Sequence, residues 1–333
     1  MTLRVGLLGA GYFARFHHDA WTRMGGAELI GVADADPAKE ADWPDLAGLL
    51  SAAPDIVDIA TPPPTHAAAI RKALSARPRA IVCQKPFCTS LDEAEAVTAE
   101  AEAARVPLVV HENFRFQPWW RTIHAALGAG RLGRVFQITF RLRPGDGQGP
   151  DAYLARQPYF QTMPRFLVHE TGVHYLDTFR FLAGEPDGLY ADLRRLNPAI
   201  RGEDAGLVIL DHGSGLRCVL DGNRLSDFDA DDTRRTFGEA LVEGEHGTIA
   251  LTGDGTVTLR PHGTRRTERL LAPQDWQGFA GDSVYAFQSH VVAHLTESTP
   301  LETSARDYLR SLALAELAYA SSEARCRLPV GRP

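Results

Sequence analysis

Cysteine is scarce in this chain of 333 residues: Cys83, Cys88, Cys218 and Cys326 form no C-x-x-C pair and no Cys/His cluster at zinc-ligand spacing. Neither a disulfide framework nor a structural metal is therefore implied, and free buried thiols are expected. Positive charge is in deficit, with 35 Lys and Arg against 42 Asp and Glu, a formal net charge of −7, and the basic residues are scattered. That leaves no footprint for nucleic acid or an anionic membrane surface. No apolar run approaches the roughly 18 residues that span a bilayer. The opening Met1-Thr2-Leu3-Arg4-Val5 lacks the ordered segments of a secretory signal, so the chain reads as cytoplasmic. Internal repeats and low-complexity stretches are absent.

What is present is ordinary globular usage, 44% hydrophobic and 23% charged, far from the signature of disorder. The length favours two domains. Up to about residue 120, short apolar runs alternate with helix formers, the pattern of repeated βαβ units. Strands are expected at Arg4–Leu8, Glu28–Ala33, Ile56–Ala60, Ala80–Cys83 and Leu108–Val110. Asp92–Arg105 is the clearest helix, with a cap at Thr89-Ser90 and an exit at Val106-Pro107. The expectation for 1–120 is a doubly wound parallel α/β (Rossmann) domain.

From Gly133 the pattern changes. Val135, Ile138, Phe140 and Leu142 sit among polar residues, and a Gly/Pro-rich break follows at Pro144–Pro150. Further strands are expected at Leu189–Leu196, Ala205–Asp211, Leu216–Leu220, Ala240–Val242, Thr248–Leu251 and Thr256–Arg260, with helices at Arg165–Leu182, Ser283–Glu297 and Thr303–Arg325. Residues 121–333 thus read as an α/β domain with a large, mainly antiparallel open sheet, its C-terminal helices being candidates to pack back on the first domain.

Gly9-Ala10-Gly11-Tyr12-Phe13-Ala14 is a G-x-G-x-x-G/A pattern between a strand and a helix at Arg15–Met24. Gly9 permits the tight turn, Gly11 the approach of a pyrophosphate, and Ala14 close helix–strand packing, with Tyr12 and Phe13 between them. The bland reading of the motif is an incidental turn. Asp34 closes the second strand, where a carboxylate binds a ribose 2′-hydroxyl. Asp36 adds negative charge and no Arg follows directly, so NAD is favoured over NADP, although Asp-Ala-Asp-Pro is also ordinary turn chemistry. Ala60-Thr61-Pro62-Pro63-Pro64-Thr65-His66 ends the third strand at the ligand-binding edge. Thr61 and Pro62 are placed along the dinucleotide. His66 either touches the cofactor or caps the next helix, the cap being preferred; His17 and His18 read as packing or surface residues.

Gln84-Lys85-Pro86 ends the fourth strand, and proline biases Lys85 towards an extended conformation at that edge. Gln84 and Lys85 are placed beside the dinucleotide as well, and an ammonium group there can stabilise a developing alkoxide, whereas an ordinary lysine is solvated. Glu170, His174 and Asp177, at i, i+4 and i+7, fall on one face of the expected helix. Imidazole is the natural acid/base for a hydroxyl proton near neutrality; the alternative is a solvated polar stripe.

Together these motifs resemble the glucose-fructose oxidoreductase/inositol dehydrogenase/MocA family over most of the chain. The resemblance rests on Gly9-x-Gly11-x-x-Ala14, on Gln84-Lys85-Pro86 where the family has Glu-Lys-Pro, on Asn113-Phe114-Arg115-Phe116-x-Pro118, and on Gly172-x-His174-x-x-Asp177. It implies hydride exchange between NAD(P) and sugars, cyclitols or related compounds, in an oligomer formed through the C-terminal sheet. It implies further that Lys85 orients the substrate, His174 is the acid/base and Asp177 contacts the substrate. Two departures stand out: Gln84 loses the family's charge, and Glu170 stands where many sugar-oxidising members have aspartate. Arg115 and the segment Tyr153–Arg165, with Arg156, Gln157, Tyr159, Gln161 and Arg165, are further candidates for substrate contact, though a connecting loop is polar in any case. Trp119 and Trp120 read as packing residues. The expected reaction is oxidation of a secondary alcohol. The rivals are an NAD-dependent glycosidase using transient oxidation and a non-catalytic NAD- or sugar-sensing regulator.

Overall fold

The computed structural model describes residues 2–331. The chain forms two compact units: residues up to Asn113 together with Asp282–Arg310, and Phe114–Gly281 together with the stretch from Ser311 onward.

The first unit alternates β1 (Leu3–Leu8), α1 (Ala14–Arg23), β2 (Ala27–Ala33), α2 (Leu46–Ser51), β3 (Ile56–Ile59), α3 (His66–Ser75), β4 (Ala80–Gln84), α4 (Leu91–Ala104) and β5 (Leu108–His111). The strands lie parallel in the order β2-β1-β3-β4-β5. β3, β4 and β5 are buried at every position, as a parallel sheet covered on both faces requires. That is why their sequences are continuous apolar runs. α4 starts where its cap dictates: Ser90 accepts from the Glu93 amide, and the Glu93 carboxylate reaches back to the Thr89 amide and hydroxyl. The order reverses between β1 and β3, which makes the crevice at their carboxyl ends the ligand position of this architecture.

The second unit contains α5 (Pro118–Gly128), β6 (Val135–Leu142), α6 (Val173–Ala183), β7 (Gly188–Arg194), β8 (Ala205–Asp211), β9 (Arg217–Asn223), α7 (Thr233–Thr236), β10 (Gly238–Gly244), β11 (Gly247–Leu251), β12 (Val257–Pro261), β13 (Glu268–Leu271) and β14 (Leu328–Pro329). Helices α8 (Phe279–Glu297) and α9 (Ala305–Ala324) each run from one set of residues into the other. Nine strands form one sheet, β13-β12-β11-β10-β6-β9-β8-β7-β14, in which only β6 and β9 pair in parallel. One face of the sheet packs Ile138, Phe140, Val208, Leu220 and Val242 against Trp119 and Trp120 of α5 and Tyr175, Leu176 and Phe179 of α6.

The alternation that buries one face fixes the other. A single register line crosses seven strands there: Tyr190, Ile209, Val219, Thr139, Leu241, Ala250 and Thr258 are successive cross-strand partners. None of them is charged, and each is half-buried or exposed.

The architecture agrees with the sequence reading, with three differences of detail. β13 and β14 were not expected; both are short, and β13 is partly exposed, so neither carries a strong apolar signal. Cys326 is exposed, unlike Cys83, Cys88 and Cys218, which are buried. The expected helix Arg165–Leu182 is not one regular element. Leu167–Gly172 forms a π-helical turn and α6 follows. The amides of Phe166 and Val168 donate to the Glu203 carboxylate and that of Leu167 to the Glu203 carbonyl, so the entry is tied to an acceptor outside the helix. The wide turn breaks the i, i+4 relation of Glu170 to His174. Only His174 and Asp177 share α6.

Candidate cofactor and acid-base sites

In the first unit the loops after β1 to β4 share the carboxyl edge of one parallel sheet. Gly9 has φ +110°, and a Cβ there would lie 2.8 Å from the Ala60 carbonyl oxygen, so only glycine lets this loop press against the one after β3. A Cβ on Gly11, by contrast, would meet nothing within 4 Å. Ala14 is buried at the start of α1, whose first turn has no side-chain cap. Open space over Gly11 and uncapped amides at a helix N-terminus fit a pyrophosphate. Tyr12 and Phe13 both pack edge-on or tilted against Phe16.

Asp34 bonds the loop itself: Oδ2 accepts the Ala10 amide at 2.7 Å and Oδ1 the Asp36 amide at 2.8 Å. Its placement beside the glycine turn fits a ribose-binding carboxylate. Lys39, which the sequence reading passed over, donates to the Ala10 carbonyl at 3.2 Å, putting one cation near the same loop. Thr61 bonds Thr65 at 2.7 Å, and Pro62 leads into the short turn Pro63–Thr65. His66 opens α3 and is fully buried, its Nε2 2.7 Å from the Thr61 carbonyl. Burial pushes its pKa down, against the pull of that carbonyl, which favours a neutral, structural imidazole; the N-cap of α3 is Thr65 and has no side-chain cap, so His66 does not cap the helix as the sequence suggested.

Gln84 and Lys85 leave β4 at this edge. Gln84 is buried and Lys85 half-buried, with a cis peptide joining Lys85 to Pro86. Behind them lies a network that the sequence did not reveal, in which His17 links Asp58 to Gln84. His17 is buried, His18 exposed.

In the second unit, His174 is almost fully buried and its ring lies flat on Phe114, centroids 3.8 Å apart and 4° from parallel. Asp177 is bound by Arg115 through two bonds of 2.6 and 2.7 Å, and Ser311 donates to the same carboxylate at 3.0 Å. Arg115 and Asp177 are thus partners of each other in the interior. Glu170 is bonded by the Thr171 hydroxyl and approached by Arg224 at 3.4 Å. Arg224 is buried beneath Phe166 and Tyr153 and pairs with Asp146, which also holds Arg156. Burial works to raise the Asp146 carboxyl, but Arg224 outweighs it and keeps the group below the usual aspartate range.

Tyr159 is exposed and takes a bond from Gln157, while Gln161 donates to the carbonyls of Pro150 and Ala152. Arg165 is committed to Glu316 at 2.6–2.7 Å and lines a cleft of about 380 Å³ with Glu203 and Tyr319. No other candidate lines that cleft. Trp119 and Trp120 are fully buried core residues. Among the described residues no group of three or more His, Cys, Asp or Glu can hold a metal, and no helix is long and apolar enough to cross a membrane.

Sequence and structure comparisons bear on these sites. Residues 3–112 match the family described as an oxidoreductase family with an NAD-binding Rossmann fold, and residues 120–250 match the GFO/IDH/MocA C-terminal domain. A D-apiose dehydrogenase of Paraburkholderia graminis is 36% identical over 95% of this chain and 86% of its own. A second D-apiose dehydrogenase, from Rhizobium rhizogenes, is 34% identical over 96% and 95%. An oxidoreductase of Agrobacterium radiobacter, crystallised with NAD⁺, L-tartaric acid and magnesium, superposes with a TM-score of 0.89 at 30% identity over 99% of both chains. Both family models and the relatives above 30% identity cover most of the chain, and the fold superposes on a family-sized neighbour: the chain belongs to the GFO/IDH/MocA family and is an NAD-dependent oxidoreductase.

Proposed function

We propose that the protein oxidises a secondary alcohol of a sugar, glycoside or cyclitol, reversibly, with Lys85 and His174 as its working side chains. Bound NAD⁺ supplies the hydride acceptor. Lys85 donates a hydrogen bond to the reacting hydroxyl and steadies negative charge on its oxygen as the C–H bond breaks. His174 takes the hydroxyl proton in oxidation and returns it in reduction, so that alcohol gives ketone or lactone, NADH and one proton. The flat contact with Phe114 supports this role, because it restricts the plane in which the imidazole can accept. Asp177, one turn of α6 from His174, is itself held by buried Arg115. Glu170 and Tyr159 are proposed to set which polyol is accepted, whereas Arg165, held by Glu316, is given no part in that choice.

The observation that carries this reading is the place of Lys85: it leaves β4 on the same sheet edge as Gly9 and Thr61, in the unit that holds the dinucleotide. Because two relatives above 30% identity are D-apiose dehydrogenases, D-apiose is the first substrate to test. Purified protein would be offered D-apiose, other aldoses, glycosides and inositols with NAD⁺ or NADP⁺, following NADH absorbance. Substrate-dependent NADH formation is expected with NAD⁺. Cleavage of a glycoside without net NADH would replace the reading with a glycosidase, and NAD binding with no turnover would replace it with a sensor.

A further inference from the structure

The hydrogen bonds behind Lys85 have a direction that their geometry dictates. The Lys85 main-chain N–H can only donate, and it donates to Gln84 Oε1 at 2.5 Å. That identifies the oxygen of the Gln84 amide and turns its nitrogen towards His17 Nε2, 3.0 Å away. An amide nitrogen carries hydrogens and no available lone pair, so His17 Nε2 must be the acceptor. The one imidazole hydrogen then sits on Nδ1, where Asp58 Oδ2 receives it at 2.8 Å. Trp21 donates to the same oxygen at 2.7 Å. Each hydrogen bond in the row donates in the direction of Asp58, at its end.

We propose that Asp58, His17 and Gln84 are positioning residues for Lys85: a buried, one-directional hydrogen-bond chain that fixes the main chain at the lysine without needing an exchangeable proton between its members. The proposal rests on the role given to Lys85 above. Glutamine is the side chain that makes the row consistent. A glutamate there would still accept the Lys85 amide, but its second oxygen would face His17 Nε2, acceptor against acceptor, and the row would close only by taking up a proton. With glutamine, the row closes without an added proton.

The surroundings allow little escape from this arrangement. Gln84 is 5% exposed and His17 and Asp58 are fully buried. The His17 ring is stacked at 4.0 Å on His111 of β5 and meets Phe13 edge-on from its own helix, and Gln288 of α8 donates to the His17 carbonyl at 3.4 Å. The titratable groups facing the row are Asp58 from β3, Cys83 from β4 and His111 from β5. Burial holds the Cys83 thiol far above its usual range, so it stays protonated. His111 offers the His17 ring its face and not a hydrogen bond.

The test combines spectroscopy and kinetics on the full chain. Long-range ¹H–¹⁵N spectra of histidine-labelled protein, compared with Gln84→Glu to identify the His17 signals, are expected to show an Nδ1–H tautomer unchanged between about pH 6 and about pH 9. The ratio of Gln84→Glu to parental kcat is expected to fall at least about tenfold over that range as the extra proton leaves, with the KM for NAD⁺ unchanged. Gln84→Met, which keeps the volume and loses both bonds, should lower kcat about equally at every pH. A His17 signal with its hydrogen on Nε2, or a constant kcat ratio for Gln84→Glu, would overturn the proposal. If no alcohol is oxidised at all, the reading of Lys85 fails, while the tautomer alone still decides the chain.

Discussion

Asp34 shows how much a single carboxylate does before any cofactor arrives. Both of its oxygens hold main-chain amides, one in the glycine turn and one in the Asp-Ala-Asp-Pro turn, so the turn chemistry is present, and the proposed ribose-binding role would fall to the same carboxylate. Asp34→Ala should therefore weaken NAD⁺ binding by loosening the turn and also relax discrimination. With the repelling charge gone and Lys39 on the same loop, NADP⁺ should gain relative to NAD⁺. Titration of both dinucleotides by fluorescence checks this, and an unchanged ratio refutes the role. Lys85→Ala makes the complementary case. Lys85 does its main work on the alcohol in this reading, so turnover should fall by at least about 1000-fold while NAD⁺ affinity stays within about twofold. Full activity in that variant would remove the centre proposed above. The motifs carrying Gly9, Asp34 and Lys85 were legible because each is local and has a fixed neighbour in sequence. Asp58 was not, because its partner His17 lies 41 positions away and the next link, Gln84, is 67 from His17; a lone Asp in an apolar strand gives no sign of its contacts.

At the scale of elements, the entry to α6 is the part that sequence spacing misplaced. The i, i+4, i+7 pattern assumed a regular helix, and nothing local warned that Glu203 would take its first amides. Glu203 also accepts the Tyr319 hydroxyl at 2.6 Å, so one side chain joins the π-helical turn, the loop before β8 and α9. Its role follows from geometry: a carboxylate offers two acceptor oxygens, which these donors share. Glu203→Gln keeps the shape but turns two hydrogens towards donors. We expect a loss of about 2–3 kcal/mol, the scale of a charge-assisted bond broken at a buried site, read as a lower urea midpoint with an unchanged m-value. Because the π-helical turn leads into the helix of His174, kcat should fall as well while the KM for NAD⁺ does not move. A midpoint equal to that of the parent would show that the turn is held by other means. The neighbouring Asp146, Arg224 and Arg156 were equally hidden, since their pairings span a Gly/Pro-rich break that reads only as a loop.

At the scale of the whole molecule, we expect the open face of the nine-stranded sheet to meet a second copy of the chain, on the strength of its pattern. The uncharged register line from Tyr190 to Thr258 is flanked by two charged ones. Asp211, Arg217, Glu243 and Arg260 lie on one side, and Asp192, Asp221, Arg141 and Glu239 on the other. An apolar centre with a rim of both signs is the anatomy of a stable interface, and a rim carrying both signs can complement itself across a two-fold axis. Seven strands at about 4.8 Å spacing cover about 29 Å, and three side-chain rows about 20 Å, which gives about 600 Å² per partner. That approaches the roughly 800 Å² per side of a standard interface, whereas a solvated sheet face has no need of an uninterrupted uncharged line. Alternation made this face legible strand by strand, but the line itself depends on register, which bulges such as the one at Glu243 and Gly244 shift by a residue. Val219 and Leu241 occupy the line on either side of Thr139, so Val219→Glu combined with Leu241→Arg would place charges in its centre without touching the core face. Analytical ultracentrifugation should find the parent chain as a dimer or larger assembly and the double variant shifted to monomer, with its far-UV circular dichroism unchanged. A parent that sediments as a monomer, or a variant that assembles as the parent does, would leave this face without the partner assigned to it.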